Sequence, residues 1–124
     1  MDHNLKRFDM VLPGSPQYNN RTELIVSQVI PFAPIVGHLS LDIFDDYTAI
    51  TWVYVDNYFR GNGIASALLE EAWNITVEHD ITIMGLIVDK SPVQSKLVEF
   101  YQKKGFELTG DITENGGINM RRNK

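Results

Sequence analysis

Six consecutive residues, Arg60-Gly61-Asn62-Gly63-Ile64-Ala65, stand between a β-rich run ending near Val55 and an apolar-periodic helix starting near Gly63. A glycine-rich turn that opens a helix aims several unpaired backbone N–H groups at one point, where the helix dipole favours negative charge. The middle of the chain is thereby committed to a strand–turn–helix unit, and the turn is suited to a phosphate or pyrophosphate. A flexible glycine entry to the helix, with no ligand, is the competing account.

The periodicity on either side sets the rest of the order. Leu5 to Leu12 reads as a strand, stopped by Pro13-Gly14-Ser15-Pro16. Thr22 to Ile30, Ile35 to Phe44 and Tyr47 to Val55 are rich in Val, Ile, Thr, Tyr and Trp, with Asp45-Asp46 as the turn between the last two. Ile64, Leu68, Ala72 and Ile75 then recur at helical spacing up to about His79. Ile81 to Val88 is a nearly continuous apolar run, predicted as a central strand covered on both faces. Ser91-Pro92-Val93-Gln94 predicts a capping box opening a second helix. Val93, Leu97, Phe100 and Tyr101 continue that helix on one stripe, and Gly105 suits a left-handed end. Phe106 to Thr109 and Gly117 to Arg121 close the chain as a strand pair around Glu114 to Gly117. The result is an α/β (α+β) sheet with both helices in the second half.

At 124 residues the chain is long enough for one domain and too short for two. Its lack of cysteine excludes thiolate metal sites and fits a reducing compartment. No apolar run approaches the roughly 20 residues needed to span a bilayer, and the expected location is cytoplasmic. A net charge of −5 argues against non-specific binding to nucleic acid. His3, His38 and His79 lack ligand spacing, so no metal is expected. Asp42, Asp45 and Asp46 crowd one hairpin end and read as a solvated turn.

Dinucleotide and P-loop readings of the glycine turn fail. The third glycine of a dinucleotide fingerprint falls at Ser66, and no Gly-Lys-Ser/Thr follows. A second constellation decides between the remaining accounts. Arg60-x-x-Gly63-x-Ala65 resembles the Arg/Gln-x-x-Gly-x-Gly/Ala signature of the GCN5-related N-acetyltransferase (GNAT) family. Phe100-Tyr101-Gln102-Lys103-Lys104-Gly105-Phe106 is similar to that family's Leu-Tyr-x-x-x-Gly-Phe segment. The resemblance covers roughly residues 35 to 109. It implies one domain over residues 1–124, with a mixed, mostly antiparallel sheet of about seven strands and two main helices.

The resemblance further implies acetyl-coenzyme A, or another acyl-coenzyme A, as co-substrate and an amine-bearing acceptor. The amides of Gly61, Asn62, Gly63, Ile64, Ala65 and Ser66 would hold the pyrophosphate, with Arg60 adding charge. Main-chain groups of Val53 and Val55 would pair with the pantetheine arm, and a β-bulge is expected near Trp52 to Tyr54. Gln94 stands where the family has an asparagine near the cofactor, and its capping role competes with that contact. Tyr101 corresponds to the tyrosine that protonates the departing thiolate. The family's base is a glutamate on the strand before the turn, or a residue at the end of the next one. Here the first position offers only Thr48, Thr51 and Tyr54, and Asp89 is the match to the second, where an ordinary polar strand end is the rival account. A water relay would make a dedicated base unnecessary.

One departure concerns the acceptor. The family places two helices between its first two strands, and the nine residues from Pro13 to Arg21 cannot form them. The acceptor side is then open, or completed by a second subunit in a homodimer. A non-catalytic acyl-coenzyme A-binding module is the alternative to an enzyme.

Overall fold

The computed structural model describes residues 3–11, 20–29, 34–56, 61 and 63–124. Its elements are β1 (His3–Val11), β2 (Asn20–Gln28), β3 (Ile35–Ile43), β4 (Thr48–Val55), α1 (Ile64–Glu78), β5 (Ile83–Val88), α2 (Gln94–Lys103), β6 (Glu107–Ile112) and β7 (Ile118–Asn123). The strands make one seven-stranded sheet in the order β1-β2-β3-β4-β5-β7-β6. All neighbours are antiparallel except β4 and β5, which run parallel on either side of α1. The fold class and element order are those predicted. The connector after β1, Arg60 and Asn62 lie outside the described residues.

Alternation along the strands decides which face is covered. Leu24 and Val26, Leu39 and Leu41, and Met84 and Leu86 are buried beneath α1. Ile64, Leu68, Ala72 and Ile75, the helical stripe of the sequence, are buried from the other side. A Cβ on Gly37 would stand 2.7 Å from Ile64 Cγ2, which fixes the face of β3 that meets α1. Arg122 of β7 stacks its guanidinium 4.3 Å over the Trp73 ring of α1 and also lies against Gly105 at the end of α2. Both helices therefore share one face. The other, outer face carries the alternate residues, and no described helix covers it. β5 accordingly departs from the expected double cover: Met84, Leu86 and Val88 are buried, whereas Ile87 is exposed.

Local capping accounts for the other differences. Both helices end in Schellman motifs, with crossed bonds from the two residues beyond the cap to the last turn. In α1, Asp80 takes the left-handed position (φ 59°), and Asp80 and Ile81 donate to Val77 and Thr76 carbonyls. Ile81 is thus spent on the cap and buried there, so β5 begins two residues later than the apolar run suggests. The capping box of α2 does not form: the helix starts at Gln94 with no side-chain cap. Asp42, read as part of a solvated turn, instead pairs with Arg21 across the outer face at 2.6 Å.

One polar contact sits inside the core. Thr48 and Thr76 are fully buried with their hydroxyls 2.8 Å apart, and Thr76 donates onward to the Ala72 carbonyl at 2.9 Å. Thr76→Val strands the Thr48 hydroxyl, which costs about 1–3 kcal/mol in chemical denaturation. Thr48→Val leaves the Thr76 donor satisfied and costs less.

Candidate active site

The parallel pairing of β4 and β5 is brief. It runs through Thr48↔Met84, Ala49↔Gly85 and Ile50↔Leu86 and then stops. The cause is visible on the other edge of β4, where Leu41 faces Ile50 but Ser40 faces Trp52. Thr51 is the extra residue of a bulge, just ahead of the Trp52 to Tyr54 stretch where one was expected. A bulge bends its strand and raises the local twist, so the ends of β4 and β5 part.

The parted strands open into a cleft of about 670 Å³. Val53, Val55, Gly61, Gly63, Ile64, Ala65 and Ser66 line one side, and Leu97, Phe100 and Tyr101 of α2 line the other. Seven of the ten residues expected to hold a cofactor thus share one cleft, Arg60 and Asn62 being outside the described residues. Gln94 is the exception. Its amide donates to the Val88 carbonyl at 3.1 Å and the Gly116 carbonyl at 2.8 Å, tying the end of β5 to the β6–β7 hairpin. Both amide hydrogens are therefore committed to the protein rather than to a cofactor.

Gly63 begins α1 in the left-handed region (φ 78°, ψ 8°), with no side chain capping the helix and no acidic residue in its first turn. The Ala67 amide makes the return bond to the Gly63 carbonyl. The amides ahead of it have no intrahelical acceptor, and the positive end of the dipole faces the cleft.

Tyr101 owes its position to the Schellman end of α2. Phe106 N–H donates to the Tyr101 carbonyl at 3.0 Å and Gly105 N–H to the Gln102 carbonyl at 3.1 Å. Gly105 supplies the required positive φ of 95°. This folds the buried Phe106 ring edge-on to Tyr101, 5.7 Å between centroids, while Phe100 packs at 5.4 Å. The Tyr-x-x-x-Gly-Phe spacing is thus a device for holding a phenol. Burial pushes that phenol above its ordinary pKa, and its hydroxyl has no hydrogen-bond partner among the described residues. Tyr101 also borders a second cleft of about 240 Å³ between β4 and β5, which contains Thr51, Trp52, Ile87 and Asp89.

The helical stripe of the sequence places Leu97 and Phe100 on one face of α2 without saying what that face meets. α2 buries no residue fully, and its apolar stripe lines the cleft, with Phe100 and Tyr101 also packed against the edge of the core. Spacing alone cannot separate these two fates, because a ligand wall and a core wall need the same 3.6-residue period. Among the described residues no group of three or more His, Asp or Glu is placed to hold a metal ion, and no helix is long and apolar enough to cross a membrane.

Residues 18–122 match the acetyltransferase (GNAT) domain. The chain belongs to the GNAT acetyltransferase family. Solved structures agree with this GNAT domain in fold. The PaiA N-acetyltransferase from Thermoplasma acidophilum, in complex with coenzyme A, has a TM-score of 0.71 at 21% identity over 84% of this chain. Nourseothricin acetyltransferase reaches 0.73 at 18% identity over 92% of the chain. A GNAT acetyltransferase from Elizabethkingia anophelis with acetyl-CoA bound reaches 0.69 at 19% over 84%. The chain spans 61%, 69% and 76% of those three proteins respectively. No curated protein sequence matches it.

Proposed function

We propose that this GNAT domain transfers an acetyl or other acyl group from acyl-coenzyme A to a primary amine. The amine attacks the thioester directly in a ternary complex. The observation that carries the reading is the cleft itself, with an uncapped helix N-terminus on one wall and a half-buried phenol on the other. The amides from Gly61 to Ser66, with Arg60 and Asn62, take the pyrophosphate. The pantetheine arm lies along Val53 and Val55, entering the gap that β5 leaves and adding to the sheet as a strand would. Backbone donors on the bulged part of β4 polarise the thioester carbonyl. The nitrogen forms its bond to the carbonyl carbon, the C–S bond breaks, and Tyr101 gives its proton to the leaving sulfur. Direct attack accords with a chain that has no cysteine to carry the acyl group. The attacking ammonium must lose a proton to a base reached directly or through water, and Asp89 in the second cleft is one such group. Support for these roles is geometric and familial: the residues share one cleft, and the GNAT neighbours from T. acidophilum and E. anophelis hold coenzyme A and acetyl-CoA.

The acceptor is a small amine or an amine on a protein, and a homodimer would supply the cover that the short connector cannot. Acetyl-coenzyme A at 100 times its Kd stabilises the native chain by about 2.7 kcal/mol, read as a rise in thermal midpoint. Incubation with a panel of primary amines then releases thiol. No protection by any acyl-coenzyme A would overturn the assignment, and protection without thiol release would favour a non-catalytic binding module.

A further inference from the structure

The outer face of the sheet carries a polar cluster in which a histidine, a glutamate and a serine are linked. Glu23 of β2 bonds His38 of β3 through its Oε2 and the imidazole Nε2. Ser40 Oγ donates to the same carboxylate oxygen at 2.6 Å. The cluster adjoins the bulge: Ser40 lies opposite Trp52 and His38 opposite Tyr54. It therefore stands one strand away from the fork between β4 and β5, on the face that no described helix covers. β4 itself carries no carboxylate.

The chemistry of the pair follows from its bonding. A carboxylate only accepts hydrogen bonds, so Nε2 carries a hydrogen, which in the neutral form of the ring leaves the lone pair on Nδ1. No described residue bonds to Nδ1, and the His38 side chain is 32% exposed while Glu23 is 17% exposed. The carboxylate fixes the tautomer and stabilises the imidazolium that forms when Nδ1 takes a proton. Asp42 absorbs the Arg21 guanidinium at 2.6 Å, while Arg21 Nε stays 4.0 Å from Glu23 Oε1. Among the described residues, the other titratable groups near the imidazole on this face are Lys6 of β1, which lies opposite Ile25, Tyr54 of β4, and Asp56, to which the Tyr54 hydroxyl donates at 3.5 Å.

We propose that the Glu23–His38 pair accepts the proton of the acyl transfer. His38 Nδ1 takes, through water, the proton that the acceptor ammonium must lose before its nitrogen can attack, and Glu23 is the positioning residue that holds the imidazole. This rests on the N-acyltransferase reading. Of the two protons the nitrogen sheds, one passes through His38 to solvent. The other balances the proton that Tyr101 gives to sulfur, and the products are amide, free thiol and one released proton. The linked cluster supplies the proton acceptor that β4 lacks.

The test uses the full chain, acetyl-coenzyme A, and benzylamine, lysine methyl ester and a short peptide with a free N-terminus as acceptors. Thiol release is followed from pH 6.5 to 10 with the best of the three. In His38→Gln the expected loss of kcat/KM at pH 7 is about 100-fold. The loss shrinks to within about threefold near pH 10, where an amine of lysine type sheds its own proton. Thermal protection by acetyl-coenzyme A is unchanged. Glu23→Gln shows a smaller loss with the same pH dependence, and it serves alone should His38→Gln fail to fold. A wild-type rate at pH 7 in either folded variant, or an equal loss at every pH, overturns the proposal. So does a pH-dependent loss confined to Asp89→Asn. Absence of thiol release from the wild type, with protection by acetyl-coenzyme A intact, removes the N-acyltransferase reading and this one with it.

Discussion

Tyr101→Phe lowers kcat for thiol release by about 100-fold or more, the scale of a lost general acid, and leaves the protection by acetyl-coenzyme A where it was. The substitution is a clean one. Phenylalanine keeps the edge contacts with Phe100 and Phe106 and the carbonyl bond from Phe106 that closes α2. The lost hydroxyl has no partner among the described residues, so folding stability changes by less than about 0.5 kcal/mol. A group acting only as the thiolate departs affects kcat and kcat/KM alike. A rise in KM with constant kcat would show instead that Tyr101 only helps to bind the donor. The pH dependence has a definite sign. Burial raises the Tyr101 pKa, so the folded phenol keeps its proton above pH ~10, where an unfolded tyrosine loses it. Its contribution to stability is complete below about pH 10 and is lost as pH rises through the folded-state value.

Gly63→Val is the second large effect, and it has two separable parts. At φ 78° a β-branched residue is strained, which costs roughly 1–3 kcal/mol of stability. Nothing among the described residues lies within 4 Å of the added Cβ, so steric conflict with them adds little. Gly63 lines the cleft, and a side chain at this position obstructs the approach of a phosphate to the helix amides. Loss of one charge-assisted hydrogen bond is worth about 1.5–3 kcal/mol, or at least about tenfold in Kd for acetyl-coenzyme A. Gly105→Ala is the matching control. Its φ of 95° imposes the same kind of strain away from the glycine turn, so stability falls while donor affinity holds. Equal affinity of wild type and Gly63→Val in a titration calorimeter would remove the pyrophosphate from this turn.

What the sequence made legible divides along the range of the interactions concerned. The stripe of Ile64, Leu68, Ala72 and Ile75 reports its own burial because helix period and core contact are local facts. Gly105 and Phe106 are legible for the same reason, since a Schellman motif is closed within six residues. The capping box misled because Ser91 and Gln94 have the right spacing, yet a stronger use for the Gln94 amide lies 22 residues away on Gly116. The end of α1 took Ile81 from the strand, an outcome settled by Asp80 adopting a left-handed turn. The site followed the same rule. Its glycine turn and phenol were readable from short motifs, whereas the cleft-facing role of Leu97 and Phe100 depends on how far β5 separates from β4. The Glu23–His38 link joins residues 15 apart on neighbouring strands, and only the register brings them together.

The three paired rungs between β4 and β5 have a mechanical consequence. They are the seam at which two half-sheets, β1 to β4 and β5 to β7, are stitched together. An arm lying in the fork would act as a removable thread, lengthening the stitch while it is present. On the proposed reading, spent coenzyme A carries the same arm as the acylated form and closes the seam equally well. Withdrawal of that thread, rather than the making of the amide bond, is then the step that this architecture makes slow.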